Sequence, residues 1–435
     1  MASQKTKIIW ATMAVLAIAA IALIVSISLK SPASWESKRK SMIAKYTRMY
    51  ASKQAPQRRE AILALGGVGD KSVLPYLLLA LRDTDGEVRI NALIALRAWG
   101  DPSHLNFINP LLQDKDAQVR GMAVYTMAKI MGHDVLPDLK KYLKDPSPYV
   151  REQAVVSVGM YLDPRYLPEL YAALDDQDVN VQRRAIWVLT NFSAAEVVDH
   201  LRRMLNSNIL LLQTDAAMAL GRIKAKSAVP DLMRLAGSGE INARRAAIVA
   251  MGAIGDPQVT SLLVKSLSDP EPIIRRESAL ALGNLQSKES IKPLELLLLE
   301  KDNAVRAAVA HALAQLADRG NSDLIRRLAK DQDEYVREEA AQAAGRVRDK
   351  VSEQVLSQLV VDPAERVRWS AVTALEDMAP KISLPILKAA LKTEKSRWIK
   401  NHLEVAVDQL STRRDEIPSQ IQVPPAPEAP AQIKP

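Results

Sequence analysis

Arginine returning every 31 residues is the first pattern in this chain with chemical potential. Arg58, Arg89, Arg120 and Arg151 are followed in the same register by Gln182, Gln213, Arg244, Arg275, Arg306, Arg337, Arg368 and Ile399. A ladder of guanidinium groups could bind a row of carboxylates or phosphates, because each planar fork donates two parallel hydrogen bonds to such a group. The plainer use is internal. Asp85, Asp116, Asp178, Asp302 and Asp333 precede their markers by four residues, and pairing with the arginines would tie adjacent turns together. Arg184 beside Arg183, and Arg245 beside Arg244, add charge that a solvated face explains.

The other reactive residue types are scattered. The histidines are His104, His133, His200, His311 and His402, and none is followed by glutamate. The acidic turn at Asp175, Asp176 and Asp178 lacks the spacing of a calcium-binding EF-hand and suits helix capping. Cysteine is missing from the sequence, which removes disulfides, thiolate nucleophiles and thiolate-bound metals. There is no glycine-rich phosphate loop and no nucleophile elbow. No catalytic, cofactor-binding or metal-ligating residue is therefore assigned, no cofactor is expected, and the chain is read as a non-enzyme.

The elements that carry the arginines explain their regularity. Three positions after each marker stand Ala61, Ala92, Ala123, Ala154, Ala185, Ala216, Ala247, Ser278, Val309, Ala340, Ala371 and His402. Apolar residues recur one position before the marker and four, seven and ten after it, on one face of a helix. Glycine is common eight positions after the marker, as in Gly66, Gly159, Gly221, Gly252, Gly283 and Gly345, where close packing and chain reversal both favour it. A preceding helix opens after a Gly-Asp or Asp-Pro turn, with Pro75, Pro137, Pro168, Pro230 and Pro385 near its start. Its core column runs Leu77, Ile108, Leu139, Leu170, Leu201, Leu232 and onward to Leu387. A spacing this constant, through eleven intervals without insertion, means stacked helical hairpins, none of which can cover its own apolar faces.

The runs Asp-x-x-Val-Arg-x-x-Ala and Ala-Leu-Gly-x-Ile-Gly-Asp, as in Ala250 to Asp256, resemble the HEAT-repeat family, in particular its short phycobilisome-lyase-like type. The resemblance covers about Ser34 to Leu410. It implies an all-α fold, a right-handed α-solenoid of about twelve 31-residue helical hairpins. It implies little about function, since similar repeats serve scaffolds, lyase subunits, hydroxylases and DNA-repair glycosylases. The deoxyhypusine hydroxylases that share this repeat type bind iron through paired His-Glu steps, a pattern this sequence lacks.

One column departs from what the resemblance implies. The fifth position after the marker lies about 140° round the helix from it, away from core columns centred near roughly 310°, and in this repeat family it is usually polar. Here it reads Leu63, Ile94, Tyr125, Val156, Trp187, Met218, Val249 and Leu280, then turns polar at His311, Gln342, Thr373 and Glu404. A stripe of this kind marks a partner-binding surface on the concave face, with Trp187 and Tyr125 as anchors and Met218 adding adaptability. The alternative is that neighbouring inner helices half-bury it.

The net charge of +9 does not point to nucleic acid, because residues 1–59 hold eleven basic residues against Glu36 alone, and the rest hold 48 basic and 49 acidic. An electrically balanced array is a poor tracker of phosphates. Residues 8–29 carry no charge, enough for about 33 Å of helix, and are read as a transmembrane helix rather than a signal peptide, whose apolar core is shorter. The expected organisation is a tail at 1–7, this span, a linker at 30–33, the solenoid at 34–410 and a proline-rich tail at 411–435. Six basic residues after the span favour a cytoplasmic solenoid at a bacterial inner membrane, with a periplasmic one as the alternative. Lys38, Arg39 and Lys40 are candidates for contact with anionic headgroups. The functional expectation is a single-pass membrane scaffold or adaptor that binds a protein partner, drawn from a membrane-associated complex, on the concave face. The alternative is an accessory or lyase-like subunit of an enzyme system acting on a protein-bound substrate, with a lipid or nucleic-acid binder behind it.

Overall fold

A computed structural model describes residues 32–99 and 101–412. All regular structure among the described residues is helical. The helices fall into twelve consecutive pairs, from Pro32–Tyr50 with Ala55–Gly66 to Pro380–Thr393 with Arg397–Thr412, here numbered as repeats 1 to 12. The chain forms two compact units, Met1–His200 and Leu201–Pro435. Within each unit the second helices of successive repeats pack side by side, and most second helices also pack on their own first helices.

Capping chemistry sets the helix starts. Asp116, Asp178, Asp302 and Asp333 accept backbone N–H groups of the first turn of the second helices, as from Asp178 to Asn180 N at 2.8 Å, filling donors that the helix leaves open. Asp101, Asp163 and Asp256 do the same at the first helices, each followed by proline. Several first helices are segmented rather than continuous: in repeat 3 the chain runs from the 3-10 turn Pro102–His104 through Leu105–Ile108 into the 3-10 turn Asn109–Gln113. In repeat 12 the helix begins at Pro380, so Pro385 lies inside it and not near its start.

The two expected uses of glycine separate onto different positions. A Cβ on Gly221 would stand 2.7 Å from Ala250 Cα, and one on Gly252 would stand 2.7 Å from Ala281 Cβ, so these glycines serve close approach between second helices. Chain reversal happens three residues later. There Gly255 has φ 74°, and Leu162, Lys224, Gln286 and Arg348 adopt the same left-handed conformation with φ of 52–54°.

The core follows the columns. The first-helix residues Leu77, Ile108, Leu139, Leu170, Leu232, Leu263, Leu294, Leu356 and Leu387 are fully buried, as are the small residues from Ala61 to Ala371. His402, at that small position in repeat 12, is half-buried instead and pairs with Glu376 at 2.7 Å.

The membrane assignment is corrected. The expected span at residues 8–29 lies outside the described residues, as does the proline-rich tail from residue 413. Among the described residues no helix is long and apolar enough to cross a membrane. The longest, Pro32–Tyr50, carries Glu36, Lys38, Arg39, Lys40, Lys45 and Arg48, a charge density that a bilayer core does not accept. A single-pass membrane protein is therefore not supported.

Candidate functional site

Each marker arginine is buried or half-buried and does structural work. Arg151 donates through Nε and Nη2 to both oxygens of Asp176, each at 2.8 Å, and through Nη1 to the Asp145 carbonyl at 2.9 Å. Asp176 in turn accepts the Asp178 N–H. The same motif joins Arg58 to Asp83, Arg89 to Asp114, Arg120 to Asp145, Arg244 to Asp269, Arg275 to Glu300, Arg337 to Asp362 and Arg368 to Glu394. The partner is thus an acid on the next turn, 25 or 26 residues on, not the aspartate four residues before the marker. Those aspartates cap helices, and Asp85 also takes Arg59. Arg306 reaches Asp333 of the following repeat at 3.2 Å.

Burial pushes the Asp176 carboxyl up, but the hydrogen bonds from Arg151 and the Asp178 N–H outweigh it and hold it below its usual range. Asp83, Asp145 and Glu394 behave alike. Gln182 and Gln213 keep only the backbone half of the motif, bonding to the Asp176 and Ser207 carbonyls at 2.7 and 2.6 Å. The residues 25 positions after them are Ser207 and Ser238 rather than acids. Charge is therefore deleted in pairs along the sequence.

The histidines do not converge. His104 is buried, His133 meets Asp163 at 2.5 Å, His200 stacks on Tyr171, and His311 meets Glu339 at 3.0 Å. Among the described residues no group of three His, Cys, Asp or Glu is arranged to hold a metal.

What remains is the column five positions after each marker, called here the outer column because its place on the helix turns it away from the core. In the first unit Leu63 is 44% exposed and Trp187 51%, while Ile94, Tyr125 and Val156 are half-buried. In the second unit Met218 is 47% exposed and Val249 and Leu280 are half-buried. Each of the eight is at least partly open to solvent, and both proposed outcomes, exposure and half-burial by neighbouring helices, occur along one column. Around it stand cations: the Arg97 guanidinium lies 5.3 Å from the Tyr125 ring centre, Lys129 Nζ 6.0 Å, and the Arg184 guanidinium 5.7 Å from Trp187. Further along, the column turns polar as expected, with Gln342 and Glu404 exposed.

Two of the five basic residues of the first helix pair with acids of the protein itself. Arg39 bridges to Asp70 at 3.2 Å and lies over Trp35, Lys40 meets Glu36 at 3.1 Å, and Lys38 is exposed. The column analysis missed a second aromatic group in repeats 10 to 12. Arg366 stacks 3.9 Å over Tyr335, and Trp369 lies 3.9 Å from Trp398. Tyr335 and Trp398 are half exposed. Composition carries no signal for them, since three aromatics within 64 residues match the chain's 4% aromatic content.

Comparison with known proteins agrees with this geometry. The family model for HEAT repeats matches residues 48–103, 75–159, 136–209, 211–277, 260–324 and 321–407. Among solved structures, Kap95p, from a study of its binding to RanGDP, is similar at 15% identity over 86% of this chain and 61% of that one, with a TM-score of 0.59. Kap121p is similar at 14% identity over 89% of this chain and 50% of that one, with a TM-score of 0.52. The CpcE and CpcF complex of phycocyanin lyase from Nostoc sp. PCC7120 also matches, at 19% identity over 56% of this chain and 94% of that one, with a TM-score of 0.35. No curated protein sequence matches this one.

Proposed function

The chain belongs to the HEAT-repeat family, and on that premise we propose that it is a scaffold or adaptor, without catalytic activity of its own, that holds a protein partner against the outer faces of its second helices. The observation that carries this reading is the exposure of Leu63, Trp187 and Met218 at one repeat position that packing within a solenoid does not require to be apolar. Large apolar side chains kept in register on a surface cost solubility unless something covers them. Trp187 is the central anchor, since a broad ring with an N–H handle yields much binding energy for little lost freedom. Kap121p has been solved bound to Nup53p, which supports a protein-binding use of such an array.

The test is site-specific photocrosslinking in the cells that make the protein. A benzophenone amino acid at position 187 is expected to yield a discrete polypeptide adduct identifiable by mass spectrometry, and the same group at position 342, where the column is polar, none. Adducts of equal yield at both positions, or at neither, would remove the reading.

A further inference from the structure

The outer column has a charge as well as a texture in repeats 2 to 5. Arg97 and Lys129 both lie near the Tyr125 ring, and Trp187 lies beside Arg184. Ring faces attract cations, so each ring and its cations steady one another at the surface. Arg97 and Lys129 make no ion pair with a carboxylate among the described residues. The second helices of these repeats carry two acids, Glu152, which is half-buried and lies 3.7 Å from Arg184, and Glu87, which is exposed in the first turn of Gly86–Trp99. At the positions that carry Arg184, Arg97 and Lys129 in their own repeats, repeat 10 has Glu339, Gly345 and Arg346, and repeat 11 has Ser370, Glu376 and Asp377.

We propose that the face built by repeats 2 to 5 receives an acidic, aliphatic peptide segment of a protein partner. Its apolar side chains lie against Ile94, Tyr125, Val156 and Trp187, and its carboxylates meet Arg97, Lys129 and Arg184. The inference rests on the docking reading above and adds the chemistry of the occupant. Helices pack roughly 8–10 Å apart, so Tyr125 and Trp187, two repeats apart, are separated by roughly 20 Å. An extended chain covers that in about six residues, at ~3.3 Å each, with carboxylates and apolar groups alternating along it. A nucleic acid would also offer negative charge and flat bases, but three cations on a chain balanced beyond residue 59 fall short of a phosphate track.

The experiment uses the full chain and a phage-displayed library of random peptides roughly twelve residues long, about twice the span to be covered. Selected peptides are synthesised and measured by fluorescence anisotropy against the natural chain, Trp187→Asp and the pair Arg97→Glu with Lys129→Glu, with thermal midpoints recorded for each. Selected sequences should be rich in Asp and Glu among Leu, Ile, Val or Phe. The charge-reversed pair should bind them about tenfold more weakly, the more so at low salt, with an unchanged midpoint. If selected peptides are neutral or basic and still depend on Trp187, the acidic inference is overturned and the docking reading stands. If nothing is selected, if Trp187→Asp binds as well as the natural chain, or if an oligo-dT strand displaces the peptides, both fall.

Discussion

Repeat 5 and repeat 10 share a core and differ in what they show to solvent. Val181 and Val336 before the marker, Ala185 and Ala340 three after it, and Leu189 and Ala344 seven after it are all buried. Two residues past the small alanine, repeat 5 shows solvent a tryptophan and repeat 10 a glutamine. Stacking dictates the first set, because each hairpin needs its neighbours to cover its apolar faces. Nothing in stacking dictates the second. A column that packing leaves free is the one place where a repeat protein can write an individual message, and the first unit writes an apolar, basic one.

The sharpest way to break this comparison is to remove the skeleton. Arg151→Ala leaves Asp176 as a mostly buried, unpaired carboxylate, and removal of one partner of such a pair costs about 3–5 kcal/mol. Chemical denaturation should show a loss of that order. The double change Arg151→Gln with Asp176→Ser copies what the chain already does at Gln182 and Gln213, and should return most of it. If the single and double variants are equally unstable, the pairing is not the unit of design that Gln182 and Ser207 suggest.

The next effect is smaller and confined to binding. Trp187→Asp should weaken partner capture by about 2 kcal/mol while moving stability by less than about 0.5 kcal/mol, since the side chain is half in solvent already. Gln342→Asp should do neither. Loss of stability without loss of capture would return Trp187 to the core and erase the difference between the two repeats.

The skeleton was legible in the sequence and its joinery was not. A buried position repeats because the geometry of a helix repeats, so Leu77 to Leu387 could be read by counting. The acid that holds Arg151 could not, because Asp176 is 25 residues away and its nearness is a product of stacking; the aspartates four residues before their markers, such as Asp178, offered themselves and proved to be caps. Exposure along the outer column had the same difficulty. Leu63 and Ile94 occupy one register and differ in burial, a difference that helical periodicity, which places both alike, does not carry. Within the stretch Lys38 to Lys40, the sequence likewise listed charges without their partners: Arg39 bridges to Asp70 and Lys40 to Glu36.

Acid should expose the joinery in a graded way. Asp83, Asp145, Asp176 and Glu394 are held below their usual pKa by arginine and backbone N–H donors that outweigh burial. A folded pKa below the unfolded one gives stability that is complete above the unfolded value and is lost as pH falls through the folded value. Stability should therefore hold steady above about pH 5 and fall below about pH 4. The Arg151→Gln with Asp176→Ser chain, one titrating pair poorer, should fall less steeply. An equal slope would mean that Asp176 is as acidic unfolded as folded.

The smallest effect sits where the outer column changes character. Leu280 is followed one repeat later by His311, whose Nδ1 lies 3.0 Å from Glu339 and whose Nε2 lies 2.9 Å from Gln315. The bond to Glu339 raises the imidazole above its ordinary value of 6.5, against a lowering by burial. The sign is opposite to that of the acids: a raised folded pKa contributes stability below the unfolded value and loses it as pH rises through the folded one. The group is two-fifths exposed, so solvent leaves little of this in the stability, and the shift itself is the observable. The His311 ring resonances should titrate above 6.5 in the natural chain and move back toward it in Glu339→Gln. His311→Leu removes the titration and extends the apolar column by one repeat. If it also strengthens capture of the partner, the polar turn at His311 limits the occupied column; if capture is unchanged, His311 lies outside what the partner touches.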